Sequence, residues 1–413
     1  MSSQILSRSR NSEREFIVLK TDTKPKEKSS IVSTSDVFKI IGTVFPNTLL
    51  GEKFAKNAII KIQSSKFCAM SIKIDEFKPF SEGITEEDVS IVIGAAKAIN
   101  NICKNKKGVW GPLSFNIFGC FFPEKETEEC LEIAQNIQDD IKKQTNKTVS
   151  IGIAPFPIID FKKEDILYNA FQAIEHAAFL GQGSTVCFDA ITLNINGDKL
   201  YQEGNIDDAI IQFKRAITLD PSNVNVHNSL GVCYAVKKNY KNAMEEFESA
   251  IKFNPLEVMA LYNLGLAKLL SQNKELALDL FLQADAIDNN MFEVKFQLGK
   301  IYLEDKEYEK SKLYLEKALE INQDSVPALH LLGECYTSLN MLKEAVNIYK
   351  KAIKYNPSDA HSLSSLGYVF DLLGENPEIS ILFCKQSVEI QPENELFRER
   401  LKKLYFKQKG DNE

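Results

Sequence analysis

The chain has 413 residues, 44% hydrophobic and 26% charged, with a formal net charge of −7; single cores stop growing at roughly 250 to 300 residues, so more than one domain is expected. An acidic balance works against a broad nucleic-acid or anionic-membrane footprint, which needs clustered Lys and Arg. The eight cysteines include no C-x-x-C pair, and no apolar run reaches membrane-spanning length, so zinc ribbons, thioredoxin-type sites and inserted helices are not predicted.

Residues 1–36 are rich in Ser, Lys, Glu and Thr and read as a tail unable to offset its ordering entropy. The opening MSSQILSRSRNSEREF lacks the apolar core of a signal peptide, which predicts a cytoplasmic protein with reduced, mostly buried thiols. Over residues 37–189, β-rich runs at Phe67 to Ile74, Ser114 to Phe122, Thr148 to Ile153 and Thr185 to Phe188 alternate with amphipathic stretches, predicting an α/β domain. Gly181-Gln182-Gly183-Ser184 is a lone small cluster, read as a turn into the last strand rather than a phosphate loop.

Segments of this domain, taken in order, resemble the GGDEF family of bacterial cyclic-dinucleotide synthases. Thr43-Val44-Phe45-Pro46-Asn47 is similar to that family's TGLPNR opening, Lys73 to Lys78 to its DxDxFK strand end, and Ser150 to Ala154 to its SIGIA strand. Ala170 to Ile174, with Ala177 and Gly181, resembles its ADxALYxAKxxG helix, and the signature hairpin then falls on Gly111 to Phe115. The resemblance implies a cyclase-like fold but not its chemistry, which needs carboxylates to hold magnesium against a triphosphate. Lys73 replaces the first metal-binding aspartate, Leu113 and Ser114 replace the acidic signature pair, and Pro112 removes a backbone donor from the turn. Ser81 and Ser90 stand where guanine-reading groups belong, and Ile102-Cys103-Lys104-Asn105 lacks the Arg and Asp of the inhibitory RxxD site. Asp75 and Glu76 remain and are read as an exposed strand terminus, since adjacent residues of a strand face opposite sides. The four histidines (176, 227, 330 and 361) have no ligand spacing and are read as surface or groove residues. No metal and no cofactor are expected.

From residue 190 the chain repeats with a period of 34: Leu-Gly recurs at 230–231, 264–265, 298–299, 332–333 and 366–367, with Asn196-Gly197 one period earlier. Small residues follow at fixed offsets (Ala209, Ala243, Ala277, Ser311, Ala345), and Phe213, Phe247, Phe281, Leu315 and Tyr349 supply the bulk between paired helices. Pro221, Pro255 and Pro357 mark helix ends, while Pro377 is read as lying in an inter-helix turn. This pattern resembles the tetratricopeptide family, with six repeats over residues 190–393. An amphipathic helix over Glu395 to Lys409, in the terminal segment 394–413, is expected to cap them with a polar outer face.

The expected architecture is therefore α/β plus all-α, a cyclase-like domain followed by an α-solenoid of helix pairs. The resemblance implies that positions 2, 5, 9, 12 and 13 of each first helix line a peptide groove. In the third repeat these are Met259, Tyr262, Leu266, Leu269 and Leu270, all apolar; the fourth adds Glu293, Phe296, Lys300, Leu303 and Glu304. An apolar strip of that size suits a protein or peptide partner. Asn228 and Asn263 lack the recurring cations of chaperone-tail clamps, so that ligand is not expected. The resulting expectation is a non-enzymatic scaffold or adaptor with a docking or dimerising N-terminal domain. The alternative is a regulator whose altered cyclase domain binds a nucleotide without turnover.

Overall fold

The structure, a computed structural model, describes residues 34–46, 48–77, 85–159, 161–375 and 377–410. It divides into two compact units, residues 10–242 and 243–413, each described here by itself. Within the first, helices α1 (Thr34–Val44) and α2 (Gly51–Lys61) precede β1 (Phe67–Ile74), α3 (Glu86–Lys106), β2 (Val109–Pro112) and β3 (Ile117–Pro123). Then follow α4 (Thr127–Thr145), β4 (Val149–Phe156), α5 (Ile166–Leu180) and β5 (Thr185–Cys187). Helix α1 begins inside the segment expected as a tail; residues 1–33 lie outside the described residues.

The five strands order as β2-β3-β1-β4-β5, with β1 antiparallel to both neighbours and β5 parallel to β4. Central β1 is covered on both faces and buried along its length except at Lys73. Cys68, Met70, Ile72 and Ile74 pack with the apolar sides of α3 and α4, while the alternate residues face α5, where the Ser71 hydroxyl donates to the Leu167 carbonyl at 3.3 Å. Gly152 lets α5 approach the sheet, since a Cβ there would run into the Ala170 carbonyl. Helix α3 starts with a reciprocal cap, Thr85 Oγ1 accepting from the Asp88 amide at 3.2 Å and Asp88 from the Thr85 amide at 2.9 Å. The strand expected over 114–122 is β3, which starts at Ile117; the shorter β2 before it forms a hairpin with β3, and Pro112 is tolerated because β2 is an edge.

Helix α5 serves two neighbours. Its inner side lies on the sheet, and its outer side meets α6 (Ala190–Gln202) and α7 (Ile206–Leu219), the first repeat pair. Gln172 reaches Gln212 at 3.4 Å, His176 Nδ1 reaches the Thr192 hydroxyl at 3.1 Å, and Glu175 pairs with Lys199 at 2.6 Å. The unit continues with α8 (Val224–Val236), where His227, expected as a surface or groove residue, is 7% exposed with Nε2 3.0 Å from the Pro221 carbonyl oxygen.

Helix α9 (Tyr240–Phe253) crosses the unit boundary. Beyond it come the pairs α10 (Val258–Leu270) and α11 (Lys274–Ile287), α12 (Phe292–Glu304) and α13 (Tyr308–Ile321), α14 (Val326–Ser338) and α15 (Leu342–Tyr355), and α16 (Ala360–Leu372) and α17 (Pro377–Ile390). Pro377 is the first residue of α17, not a turn residue, a position that needs no amide donor. Each first helix presents its glycine beneath its partner: a Cβ at Gly265, Gly299 or Gly333 would stand 2.5 to 2.7 Å from Phe281, Leu315 or Tyr349. The turn inside each pair needs a left-handed residue at 204, 238, 272, 306, 340 and 374, yet only the first and last are glycine.

The final helix α18 (Glu395–Gly410) packs through Phe397 and Leu404, 1% and 7% exposed. Its outer face is not the polar one expected: Leu396, Tyr405 and Phe406 are 50%, 43% and 65% exposed.

Candidate functional site

Two regions correspond to the residues singled out by sequence. At one end of the sheet, the ends of β1 and the β2–β3 turn meet: the Ile74 amide donates to the Asn116 carbonyl at 2.9 Å, and Lys73 pairs with Ile117. Lys73, Asp75, Leu113 and Ser114 are thus brought together. Ser90 lies exposed on α3, and Ser81 lies outside the described residues.

Asp75 is not an exposed terminus. It is 9% exposed and accepts from Thr148 Oγ1 at 2.8 Å, Ser150 Oγ at 2.7 Å and the Gly183 amide at 2.9 Å. These three bonds tie β1 to β4 and to the glycine turn before β5, and they are what permits a carboxylate to be buried. Glu76 has a left-handed backbone (φ 54), is exposed, and accepts from Gln182 at 2.9 Å with Lys147 3.7 Å away. Leu113 turns back toward Gly119, and the half-buried Ser114 hydroxyl reaches Asn116 Oδ1 at 3.4 Å. Among the described residues no group of His, Cys, Asp and Glu could hold a metal ion.

Beside this end lies a cavity of about 500 Å³ between the sheet, α5 and α6, lined by Lys73, Ile117, Phe171, Ile174, Phe179 and Lys199 among others. Phe179 is 76% exposed at its rim. All eight cysteines are free, and only Cys187 is other than fully buried.

The second region is the row of groove positions. In the third repeat the expectation of an open apolar strip is corrected. Tyr262 and Leu266 are 3% and 4% exposed and belong to a core with Phe281, Leu298 and Tyr302; the Tyr262 and Phe281 rings lie 5.8 Å apart. Helix α10 is apolar all round and is enclosed accordingly. Met259 and Leu269 are half-buried, and Leu270 is 40% exposed. In the fourth repeat Phe296 is half-buried and stacks on Phe292 at 5.8 Å, Glu293 and Leu303 are half-buried, and Lys300 is exposed with Glu304 4.0 Å away.

The same positions further along carry a polar cluster around His330 and His361, which the sequence reads as surface or groove residues without showing that they meet. The His330 and His361 rings lie 5.5 Å apart, and His330 Nε2 is 3.3 Å from Glu334. From α18 the Arg400 guanidinium lies over the Tyr368 ring at 4.9 Å and donates to the Ser364 hydroxyl at 3.1 Å. Burial acts to raise the Glu334 carboxyl, but the His330 hydrogen bond and the nearby Arg400 and His361 charges outweigh it and hold it below its ordinary value. The period alone places His330, Glu334, His361, Ser364 and Tyr368 at positions 2, 5 and 9 of the fifth and sixth repeats, while Arg400 comes from α18.

Helix pairs recurring every 34 residues, with the glycine of one helix packed beneath the next, define a helical-repeat protein. Sequence models of the tetratricopeptide repeat match residues 197–237, 224–255 and 303–366, and the chain carries tetratricopeptide repeats. Among curated proteins, BBSome complex member BBS4 of Bos taurus is 28% identical over 92 residues, 22% of this chain and 18% of that protein. Protein CTR9 homolog of Arabidopsis thaliana is 36% identical over 72 residues, 17% of this chain and 7% of that protein. The chain spans less than a fifth of the length of these curated relatives. Solved structures with similarity include YrrB, described as a TPR protein with an unusual peptide-binding site (18% identity, TM-score 0.43, 46% of this chain, 97% of that one). Another is pilF of Pseudomonas aeruginosa (20% identity, TM-score 0.46, 51% of this chain, 95% of that one). Among the described residues no helix is long and apolar enough to cross a membrane.

Proposed function

We propose that this protein is a non-catalytic cytoplasmic scaffold or adaptor that holds a protein or peptide segment against the first helices of its third and fourth repeats. Its N-terminal domain, in this reading, is a cyclase-like module without activity that serves docking or regulation. The observation that carries the reading is the accessible apolar set Met259, Leu269, Leu270, Phe296 and Leu303, interrupted by the charges Glu293 and Lys300 on one run of repeats. Apolar anchors framed by charge suit an amphipathic segment. The absence of partner carboxylates supports the inactive-module part: Lys73, Leu113 and Ser114 stand beside Asp75, which itself accepts three hydrogen bonds within the domain.

The test is affinity capture by the full chain beside a Leu270→Asp/Leu303→Asp variant. Partners lost by the variant while its helical circular dichroism persists are expected; partners kept by it refute the groove. A second reading, nucleotide sensing, is favoured by the cavity beside Lys73. Calorimetry with GTP and ATP separates the two, and absence of heat retires the second.

A further inference from the structure

The cavity beside Lys73 has walls drawn from one face of each of two helices. On α5, Phe171, Ile174 and Ala178 recur at the three- and four-residue steps of a helix face, with Phe179 at the rim; on α6, Ile195, Lys199 and Gln202 do the same. Its floor is the end of two paired strands, where Lys73 stands opposite Ile117. The walls are fixed by the fold. Helix α5 sits on the sheet at Gly152, whose missing Cβ leaves room for the Ala170 carbonyl, and is tied to α6 by the Glu175–Lys199 pair at 2.6 Å and the His176–Thr192 contact at 3.1 Å. Both described flanks of the connection from β1 to α3, Phe77 and Val89, pack with the core on the other face of the sheet.

At about 500 Å³ the cavity falls within the roughly 300–1,000 Å³ of sites that take small molecules. Its lining decides the class of ligand. The apolar side chains run from Ile174, 4% exposed, to the Phe179 ring, 76% exposed. The charged ones are two lysines and two acids, Lys73 and Lys199 against Glu175 and Asp198, so their formal charges cancel. Such a balance sets up no field of one sign to draw in an anion or a cation. An ionised group taken into the apolar part would give up its hydration without a dedicated partner. At the rim the exposed Gln202 amide offers a donor and an acceptor to an uncharged polar group.

We propose that this cavity binds an uncharged, largely apolar small molecule carrying an aromatic ring, with the ring against Phe171 and Phe179 and a polar group at Gln202. A nucleoside triphosphate, with its several negative charges, does not match this lining. The inference uses the cavity on which the nucleotide reading stands but assigns it a different ligand, so the two succeed or fail separately; the groove reading uses other residues. Because α6 opens the first repeat, a molecule seated here touches the sheet domain and the repeats at once, and its binding stabilises the joint between them.

The probe is phenylnaphthylamine, an uncharged dye that brightens when buried, titrated into the full chain beside anilinonaphthalene sulfonate, the same ring system bearing a negative charge. Saturable binding of the uncharged dye is expected, with the sulfonate weaker by at least about tenfold. Ala178→Trp, at an exposed helix position that fills the cavity mouth, should weaken the dye at least about tenfold, and Phe179→Ala at least about threefold. Lys73→Met, which keeps the stem and removes the charge, should leave it within about twofold. The groove variant Leu270→Asp/Leu303→Asp should bind it unchanged. Absence of saturable binding overturns the proposal. So does preference for the sulfonate or loss on Lys73→Met, either of which marks an anion site. Displacement of the dye by GTP overturns it in favour of the nucleotide reading, and binding indifferent to Ala178→Trp or lost in the groove variant places the dye elsewhere. Should Ala178→Trp lose helicity, Phe179→Ala, at a position 76% exposed, carries the localisation.

Discussion

The carboxylate of Asp75 accepts a 2.9 Å hydrogen bond from the amide of Gly183, so the end of one strand is fastened to the turn that launches another. Thr148 and Ser150 donate to the same carboxylate. Asp75→Ala leaves the half-buried Gly183 amide without its acceptor, and hydrogen bonds to charged groups contribute about 1.5–3 kcal/mol each. A loss of about 3 kcal/mol is expected in urea, read by the fluorescence of Trp110, the chain's one tryptophan, 8% exposed in the sheet core. An unchanged midpoint would show the network to be dispensable.

The surroundings of Asp75 bear on chemistry as well. With Asp75 occupied and Lys73, Leu113 and Ser114 at the neighbouring positions, no cyclic dinucleotide should form from GTP with magnesium or manganese, and magnesium alone should not raise the melting temperature. Product from an uncontaminated preparation would refute this.

Tyr262 and Leu270 lie eight residues apart on one helix but differ in burial, 3% against 40% exposed. Tyr262→Ala should cost about 3 kcal/mol of stability, as aromatic truncations in cores do. Leu270→Ala should leave stability within about 0.5 kcal/mol and weaken partner capture instead. The reverse pattern would place Tyr262 in the groove after all.

Gly333→Ala sets a methyl 2.5 Å from the Tyr349 ring and should cost about 1–3 kcal/mol, partly recovered by Tyr349→Leu. Gly42→Ala on α1 meets nothing within 4 Å and should stabilise by a fraction of the roughly 1 kcal/mol helix preference. Equal effects of the two changes would argue against close packing at Gly333.

Because the Glu334 carboxyl is held below its ordinary value of 4.5, the folded protein takes up that proton later than the unfolded chain. The stabilisation is complete above the unfolded pKa and disappears as pH falls through the folded one. Melting temperature should therefore decline below about pH 4.5 more steeply in the native chain than in Glu334→Gln. Parallel curves would show that the carboxyl gains nothing from His330 and Arg400.

The repeats were legible because each glycine, small residue and bulky residue recurs at a fixed offset and packs against the others through local contacts. The left-handed turn residues were not, since Lys238, Gln272, Lys306 and Asn340 carry no glycine signal; the helices on either side impose the conformation. Burial of Tyr262 escaped for a similar reason: a register places a residue on a face but does not say how deeply the neighbours enclose that face. Strand β2, four residues with Gly111 and Pro112, has too little β character to be seen without its hairpin partner. Asp75 read as exposed because its donors come from Thr148, Ser150 and Gly183, which only the fold brings near.

Helix α5 gives its inner side to the sheet and its outer side to the first repeat, through Gln172, Glu175 and His176. In evolutionary terms it is a weld rather than a hinge. Recombination that moved the sheet into another gene would strand those three polar side chains without Gln212, Lys199 and Thr192. The sheet and the first repeat therefore share one compact unit, and that unit ends inside α9.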